Sequence, residues 1–304
     1  MNVGGVYGLN GILNVYKPEG VSSNYVVQKI KKMFKLAKVG HGGTLDPFAS
    51  GILPIFVNKA TRLNNYIHSF DKEYVACIEL GTATDTADYT GKVVKRMSVP
   101  DISEEKIKES LKNFVGQIEQ VPPAYSAKKL NGIRAYDLAR KGVHFSLVPI
   151  KVIIYSCDLL YYEGDKIYIR VKCGSGTYIR TLCEDIACSL GTVGYVSYLE
   201  RIRYGPLEKS NAIAFDDLFS KIEINISDQL LPLDFLLHNF PWVVIKGSAL
   251  KTVLNGGMLS EDQIEFFSIP INVESFVRVY SIDRKFIGIG KFNGNKLKIS
   301  LFLQ

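Results

Sequence analysis

The sequence predicts an α+β fold in which strands and helices alternate along a main body, followed by a smaller, mostly β C-terminal region. One observation is the strict alternation over 166–173, which is typical of a half-buried strand. Another is the row formed by Val26, Ile30 and Phe34, whose i, i+4 spacing predicts an amphipathic helix. A third is the tail, where apolar runs at 276–282, 286–292 and 296–303 read as strands.

The elements of the body follow in chain order. The run GILNVYKPEG reads as a strand that ends in a Pro-Gly turn, and Ser22 and Ser23 can cap the helix after it. The segment 39–55 is rich in Gly and Pro, so we expect a loop that leads into the strand ILPIFV. Strands are expected at 73–81 and 91–97. Ser103 caps the next helix, which has acids in its first turn and Gly116 just beyond its end.

The second half of the body repeats this alternation. Strands are expected at 151–162 and 166–173, and an apolar stripe predicts a helix that Gly191 ends. The stretch 212–240 carries five acids against one Lys and joins the body to the tail. The tail adds the run PWVVI and a short helix, SALKTVLNGG, to its three strands. We place the boundary near Asn239, which divides the chain into 1–239 and 240–304.

Composition excludes several classes of protein. Hydrophobic residues make up 47% and charged residues 22% of the 304 residues, which argues against wholesale disorder. No apolar run approaches the roughly 20 residues that span a bilayer, and the first sixteen residues hold no Lys or Arg for a signal peptide. The five Cys form no C-x-x-C pair and the four His are scattered. We therefore expect a cytoplasmic, soluble protein with reduced thiols and no metal site.

Positive charge is clustered. The net charge is +7; residues 1–72 hold nine Lys and Arg against three acids, and residues 125–151 hold six against one. Clustered positive charge is typical of nucleic-acid binders. A role in solubility alone explains the charge equally well.

Three residues are candidates for chemistry. Asp46 follows three glycines within six residues and precedes Pro47, which favours an extended or turn backbone at Asp46. The alternative to a functional carboxylate is a solvated Asp in an exposed Asp-Pro turn. Arg180 lies in the first turn of a helix, where the macrodipole disfavours a cation, so it needs an anionic partner unless it is a plain surface Arg. Tyr74, at a strand start, could stack on a base or belong to the core. The Gly-x-Gly at 174–176 lacks the third Gly of a dinucleotide fingerprint.

Taken together, these stretches resemble the bacterial tRNA pseudouridine synthase B (TruB) family, whose members isomerise uridine 55 in the T-loop of tRNA. The resemblance covers about residues 10–207 and then, more loosely, the tail. The matching motifs, in family order, are GILNVYKPEGVSS, KVGHGGTLDPFASGILPI, KEYVACIELGTATDTADYTGKVV, QVPPAYSAKKLNGIRAYDLARKG, CGSGTYIRTLCEDIACSLGT and LERIRYGPL.

The resemblance implies a mixed, mostly antiparallel sheet flanked by helices in 1–239, the pseudouridine synthase fold. It also implies a PUA-like RNA-binding domain in 240–304 and an insertion at 122–147 that closes on RNA like a thumb. It further implies a monomer that acts on the T-arm of tRNA without cofactor or metal.

Residue by residue, the resemblance makes Asp46 the catalytic residue. Tyr74 would stack on the target uracil, Arg180 would pair with Asp46, and Leu199 would pack against the flipped base. Further substrate contacts are implied for His41, Tyr178 and Lys17. The sequence departs from the family pattern at Gly43, Phe48, Ser50, Gly174, Ser175, Tyr195 and Glu200.

Two other functions fit parts of the sequence. The same fold could act on ribosomal RNA or within a guide-RNA complex. A non-catalytic RNA chaperone would use the basic surfaces and the tail, but it gives no reason for the GHGGTLDP loop.

Overall fold

Strands supply most of the architecture in the computed structural model, which describes residues 8–67, 69–126, 128–130, 132–143, 145–220, 224–268 and 275–303. The strands of the first 210 residues are β1 (Gly11–Lys17), β2 (Val39–His41), β3 (Ser50–Val57), β4 (Lys72–Leu80), β5 (Thr82–Thr84), β6 (Val93–Arg96), β7 (Gly116–Gln120), β8 (Lys129–Leu130), β9 (Ile133–Arg134), β10 (Ile150–Glu163), β11 (Lys166–Cys173), β12 (Gly194–Tyr204) and β13 (Leu207–Glu208).

The later strands are β14 (Ile213–Ala214), β15 (Trp242–Ile245), β16 (Met258–Ser260), β17 (Ile264–Phe267), β18 (Phe276–Tyr280), β19 (Phe286–Asn293) and β20 (Lys296–Phe302). The α-helices are α1 (Ser23–Met33), α2 (Asn64–Ile67), α3 (Glu104–Lys112), α4 (Ala135–Arg140), α5 (Ile179–Ser189) and α6 (Leu250–Leu254).

Ten strands form one mixed sheet in the order β14-β1-β3-β12-β4-β11-β10-β7, with β13 beside β12 and β2 beside β3. Its pairs are antiparallel except β1–β14 and β3–β12. This confirms the expected mixed, mostly antiparallel sheet. The strands β3, β12 and β4 are neighbours at its centre, so the polypeptide that carries Asp46, Leu199 and Tyr74 converges there.

The helices α1, α3 and α5 cover one face of this sheet. The apolar stripes predicted from the sequence are the packed ones: Val26 and Ile30 of α1 and Leu182 and Ile186 of α5 are fully buried against the sheet. As expected, Ser22 caps α1, and its hydroxyl accepts a hydrogen bond from the Tyr25 backbone N–H. Burial of these stripes fixes the start of α5 over the centre of the sheet.

The C-terminal region forms a second sheet of six strands in the order β16-β20-β19-β18-β15-β17. Ile289, Leu301 and Leu303 from this sheet share an apolar cluster with Ile12 and Ile52 of the main sheet. The guanidinium of Arg62 also donates to the Phe302 carbonyl at 2.7 Å. The sheet agrees with the small, mostly β C-terminal domain that the sequence predicts.

Several element limits differ from those expected. The segment 39–55 is not a plain loop, because Val39–His41 pairs with the end of β3. Strands β16 and β17 lie where no strand was expected, since each is only three or four residues long. The insertion at 122–147 carries the hairpin β8–β9 and the helix α4.

Within the described residues, no helix has the length and apolar character needed to cross a membrane. The five cysteines are free thiols; four are buried and Cys188 is exposed.

Gly51 permits the close parallel contact between β3 and β12. Its φ of +110° lies in a region that favours glycine, and a Cβ there would stand 2.2 Å from the Arg201 carbonyl oxygen. Any side chain at this position would therefore push apart two strands at the centre of the sheet.

We expect Gly51→Ala to lower the free energy of unfolding by about 3 kcal/mol or more, because backbone strain and steric overlap combine. Urea denaturation measures this. Gly40→Ala is the matched control, since the nearest atom to a Cβ there is 3.8 Å away. Equal urea midpoints for the two variants would contradict this account of the strand contact.

Candidate active site

The loop that carries Asp46 is fixed on both sides by residues from the end of β1 to the start of α1. Before Asp46, the Ser23 hydroxyl donates to the Leu45 carbonyl and accepts from the Leu45 N–H, both at 2.9 Å. After it, the Pro47 carbonyl accepts from the Gly20 N–H at 2.8 Å and from the Lys17 ammonium at 3.3 Å. The Asp46 backbone is therefore held between two anchored neighbours.

Two nitrogens of Arg180 contact the Asp46 carboxylate. Nε lies 3.0 Å from Oδ2, and Nη2 lies 3.3 Å from Oδ1. The Arg180 side chain is only 6% exposed, whereas that of Asp46 keeps 33%. This two-point ion pair orients the carboxylate while leaving part of it open to a ligand.

Other donors of Arg180 are bound to backbone. Nη1 donates to the Thr86 carbonyl at 2.9 Å, and Nη2 donates to the Tyr125 carbonyl at 2.8 Å. Tyr125 belongs to the 122–147 insertion, so the insertion contacts the ion pair directly. These bonds stabilise one orientation of the guanidinium.

Asp88 is a second carboxylate on the same guanidinium. Its Oδ2 lies 3.6 Å from Nη1 of Arg180, and its side chain is 6% exposed. Its Oδ1 accepts from the Thr86 hydroxyl and from the Thr90 N–H, at 2.8 and 2.9 Å. Arg180 therefore lies between two acids, and one of them, Asp88, already accepts hydrogen bonds from other groups of the protein.

Burial raises the pKa of Asp46 above its usual value of 3.8. The positive charge of Arg180 opposes this rise, the negative charge of Asp88 adds to it, and Lys17 lowers it. The net direction is upward, because the loss of hydration outweighs the ion pair. The site holds a carboxylate that has lost water contacts yet has a fixed cationic partner.

Tyr74 and Leu199 line the sheet beside this pair. In the antiparallel register of β4 and β12, Tyr74 faces Arg201 and Ala76 faces Leu199. Opposite residues share a face of the sheet, so the Tyr74 ring and the Leu199 side chain lie on the same side, and both are buried. Burial raises the pKa of Tyr74, and the charge of Asp46 acts in the same direction. Tyr74 and Asp46 are thus close enough to interact electrostatically.

Arg201 belongs to this arrangement, although the sequence did not mark it as a candidate. It is almost fully buried, and it donates to the Ile52 carbonyl at 2.7 Å and to the Gly43 carbonyl at 3.1 Å. Its positive charge opposes the rise in the pKa of Tyr74, which it faces across the sheet. Arg201 therefore ties the Asp46 loop to the sheet. The available signal was strand alternation, which places Arg201 on the face of Leu199.

Lys17, for which the resemblance implies a substrate contact, lies in the interior of the protein. Its side chain is fully buried, and its ammonium donates to the carbonyls of Pro18, Val21 and Pro47. Burial lowers the pKa of Lys17 to about 8. Because its ammonium donates to the Pro47 carbonyl, Lys17 holds the Asp46 loop in position.

His41 and Tyr178 lie at the edges of the arrangement. His41 pairs with Ile55 in the sheet; burial lowers its pKa, and Arg201 acts in the same sense. Its buried Nδ1 has no hydrogen-bond partner in the described part of the chain. Tyr178 caps α5, and its backbone N–H and carbonyl bond the Gln120 side-chain amide at 3.1 and 3.3 Å.

Glu200, one of the departures from the family pattern, points away from this site. It alternates with Leu199 and Arg201 on β12, so it faces the other side of the sheet. There it accepts from the hydroxyls of Tyr16 and Tyr198 and from the Lys209 ammonium, at 2.7, 3.0 and 2.6 Å. Glu200 therefore lies outside the group of side chains around Asp46.

Among the residues that the structure describes, no group of three or more His, Cys, Asp and Glu side chains could hold a metal ion. The chemistry available at the site is that of one partly open carboxylate, its guanidinium partner and an apolar aromatic wall.

Two family models match the chain. The TruB family pseudouridylate synthase N-terminal domain matches residues 31–179, and the tRNA pseudouridylate synthase B C-terminal domain matches residues 180–238. Together they span Asp46, Tyr74, Arg180 and Leu199.

Curated relatives are similar over nearly the whole chain. A tRNA pseudouridine synthase B from Clostridium kluyveri is 42% identical over 282 residues, which is 93% of this chain and 95% of the relative. A tRNA pseudouridine synthase B from Clostridium acetobutylicum is 40% identical over 96% of this chain and 98% of the relative.

Solved structures also share the fold. A structure described as a Cbf5-Nop10-Gar1 complex superposes with a TM-score of 0.75 and 29% identity, over 97% of this chain and 85% of that chain. An H/ACA RNP bound to a substrate RNA containing 2′-deoxyuridine gives 0.74 and 28%, with the same coverage.

We expect Asp88→Asn to lower the pKa of the Asp46 carboxyl, because the substitution removes a negative charge that raises it. Carbon-13 NMR titration of aspartate carboxyls measures this, with Asp46→Asn providing the assignment. Asp101→Asn, on the exposed surface, is the control and should leave the titration in place. An unchanged or higher Asp46 pKa in Asp88→Asn would refute the electrostatic coupling.

Proposed function

This chain belongs to the TruB family of pseudouridylate synthases and is a tRNA pseudouridine synthase, and we propose that it isomerises uridine 55 in the T-loop with Asp46 as the catalytic residue. The observation that carries this proposal is the two-point ion pair between Arg180 and Asp46, which leaves one third of the carboxylate side chain exposed. We also propose that the chain acts as a monomer in the cytoplasm.

The reaction needs one carboxylate and no net oxidation or reduction. The N1–C1′ glycosidic bond breaks, the uracil turns, and a C5–C1′ bond forms; C5 loses its proton and N1 gains one. The Asp46 carboxylate can serve as nucleophile or base, at the ribose or at the uracil ring. No cofactor or metal is required by this balance.

Arg180 favours the ionised form of Asp46. Loss of hydration raises the pKa of Asp46, and the guanidinium opposes that rise. A carboxylate must be ionised to act as nucleophile or base. The ion pair therefore favours the charged form and fixes the orientation on which the chemistry depends.

Tyr74 and Leu199 would confine the uracil between bond breaking and bond making. Both side chains are buried on one face of the sheet, beside Asp46. An aromatic ring can stack on a pyrimidine, and an apolar wall excludes water that would compete for the detached base.

A base in a folded loop must leave its stack before Asp46 can reach it, at a cost of a few kcal/mol. The positive segments 1–72 and 125–151 offset this cost through phosphate contacts. The insertion at 122–147 lies next to the ion pair through its Tyr125 carbonyl, which suits a role in gripping the T-arm.

We expect Asp46→Asn to bind a T-arm stem-loop but to release no tritium from its 5-tritiated uridine, a fall of at least about 1000-fold. Asp101→Asn, which removes an exposed acid far along the chain, is the control and should turn over normally. Arg180→Ala should also lose most activity, since Asp46 would be poorly oriented. Normal tritium release by Asp46→Asn would end the assignment.

The same experiment separates the alternatives. A chaperone that acts only through basic surfaces would keep every activity in Asp46→Asn. An enzyme for ribosomal RNA, or one that needs a guide RNA, would leave the isolated stem-loop unmodified when the purified wild-type chain is tested alone. Modification at the position equivalent to uridine 55 by that chain supports the proposal.

A further inference from the structure

Tyr89 stands at the rim of the Asp46 site with much of its ring uncovered. It follows Asp88, the second acid on Arg180, and the residue is 44% exposed. The ring meets Phe48, two residues beyond Asp46, edge to face with centroids 5.7 Å apart. Tyr89 is thus connected to the catalytic carboxylate from both sides, through Phe48 and through Asp88.

The ring is held in one position. Its hydroxyl donates to the Glu19 carboxylate, in the turn after β1. On either side of it, the Asp88 carbonyl accepts from the Thr84 hydroxyl at 2.7 Å, and the Thr90 N–H donates to Asp88 at 2.9 Å. An exposed aromatic side chain with a fixed hydroxyl and a fixed backbone has little freedom left to lose on binding.

The backbone around Tyr89 is anchored to the sheet as well. The Ala87 carbonyl accepts from the Val196 N–H of β12 at 3.1 Å, and the Thr86 carbonyl accepts from Arg180 at 2.9 Å. Ala87 itself has a φ of +59°, a conformation that a non-glycine residue rarely adopts. The loop thus presents the ring from a rigid support, as a binding platform requires.

Extrusion of a nucleotide leaves its neighbour with an unstacked face, and aromatic side chains bind such faces regardless of base identity. We propose that the Tyr89 ring stacks on the base next to the extruded uridine and holds the opened loop over Asp46. This inference rests on the proposed function, because it takes the T-arm as the RNA. Phe48, which stands where the family usually has Leu, supports the ring from behind and is itself buried.

The test uses a T-arm stem-loop with 2-aminopurine at either neighbour of the target uridine. In an Asp46→Asn background, which prevents turnover, we expect Tyr89→Ala to lose the 2-aminopurine fluorescence change at one neighbour and to raise Kd about tenfold. Tyr89→Phe keeps the ring and should retain the fluorescence change. Tyr161→Ala is the matched control, because that tyrosine is 49% exposed and stacks on Tyr168 of the β10–β11 hairpin.

Three results would overturn the inference. Tyr89→Ala could bind with an unaltered Kd and fluorescence change, which would show that the ring does not touch RNA. Tyr89→Phe and Glu19→Gln could lose as much binding as Tyr89→Ala, and each could lower kcat at saturating RNA when Asp46 is present, which would show that the hydroxyl fixes the loop and that the ring does not bind RNA. Tyr161→Ala could weaken binding as much as Tyr89→Ala, which would make the effect nonspecific.

The parent proposal fails in a different way. If the wild-type chain leaves the stem-loop unmodified, the function is wrong whatever Tyr89 does. If the wild-type chain modifies the RNA and Tyr89→Ala binds it equally well, only the stacking inference fails. Circular dichroism of each variant shows that it is folded before binding is compared.

Discussion

The site depends on a single constraint, which is that a carboxylate must lose much of its water and still be ionised. Arg180 meets this constraint with two contacts to Asp46 while it remains nearly buried itself. A buried guanidinium needs partners for its other donors, and the structure supplies them from Asp88 and from two backbone carbonyls. The loops around the site are therefore arranged about Arg180 as much as about Asp46.

The sequence predicted the elements whose information is local. Alternation over 166–173 identified β11, because a half-buried strand repeats every two residues. The apolar stripes of α1 and α5 identified these helices in the same way, because a buried helix face repeats about every 3.6 residues. The short strands β16 and β17 escaped notice, because three or four residues carry too little pattern and their partners lie far along the chain.

The residues of the candidate site also differ in whether local sequence reveals them. Asp46, Tyr74 and Arg180 stood out by their motifs, and the structure brings Asp46 and Arg180 together. Asp88 was overlooked, since an acid in a Thr-rich polar loop looks like a solvated turn until tertiary contacts bury it. The three carbonyls around the Lys17 ammonium are visible only in the folded structure. Such contacts join segments that sequence spacing does not relate.

The hydrogen bond from Arg180 to the Tyr125 carbonyl has a wider consequence. Tyr125 belongs to the insertion, and the same Nη2 that reaches this carbonyl also faces Asp46. A displacement of the insertion must therefore change the partners of the guanidinium. Thermodynamic linkage makes such coupling reciprocal. A ligand that stabilises this position of the insertion therefore also stabilises this orientation of the Asp46 carboxylate. The position of the insertion and the orientation of the Asp46 carboxylate then belong to one equilibrium.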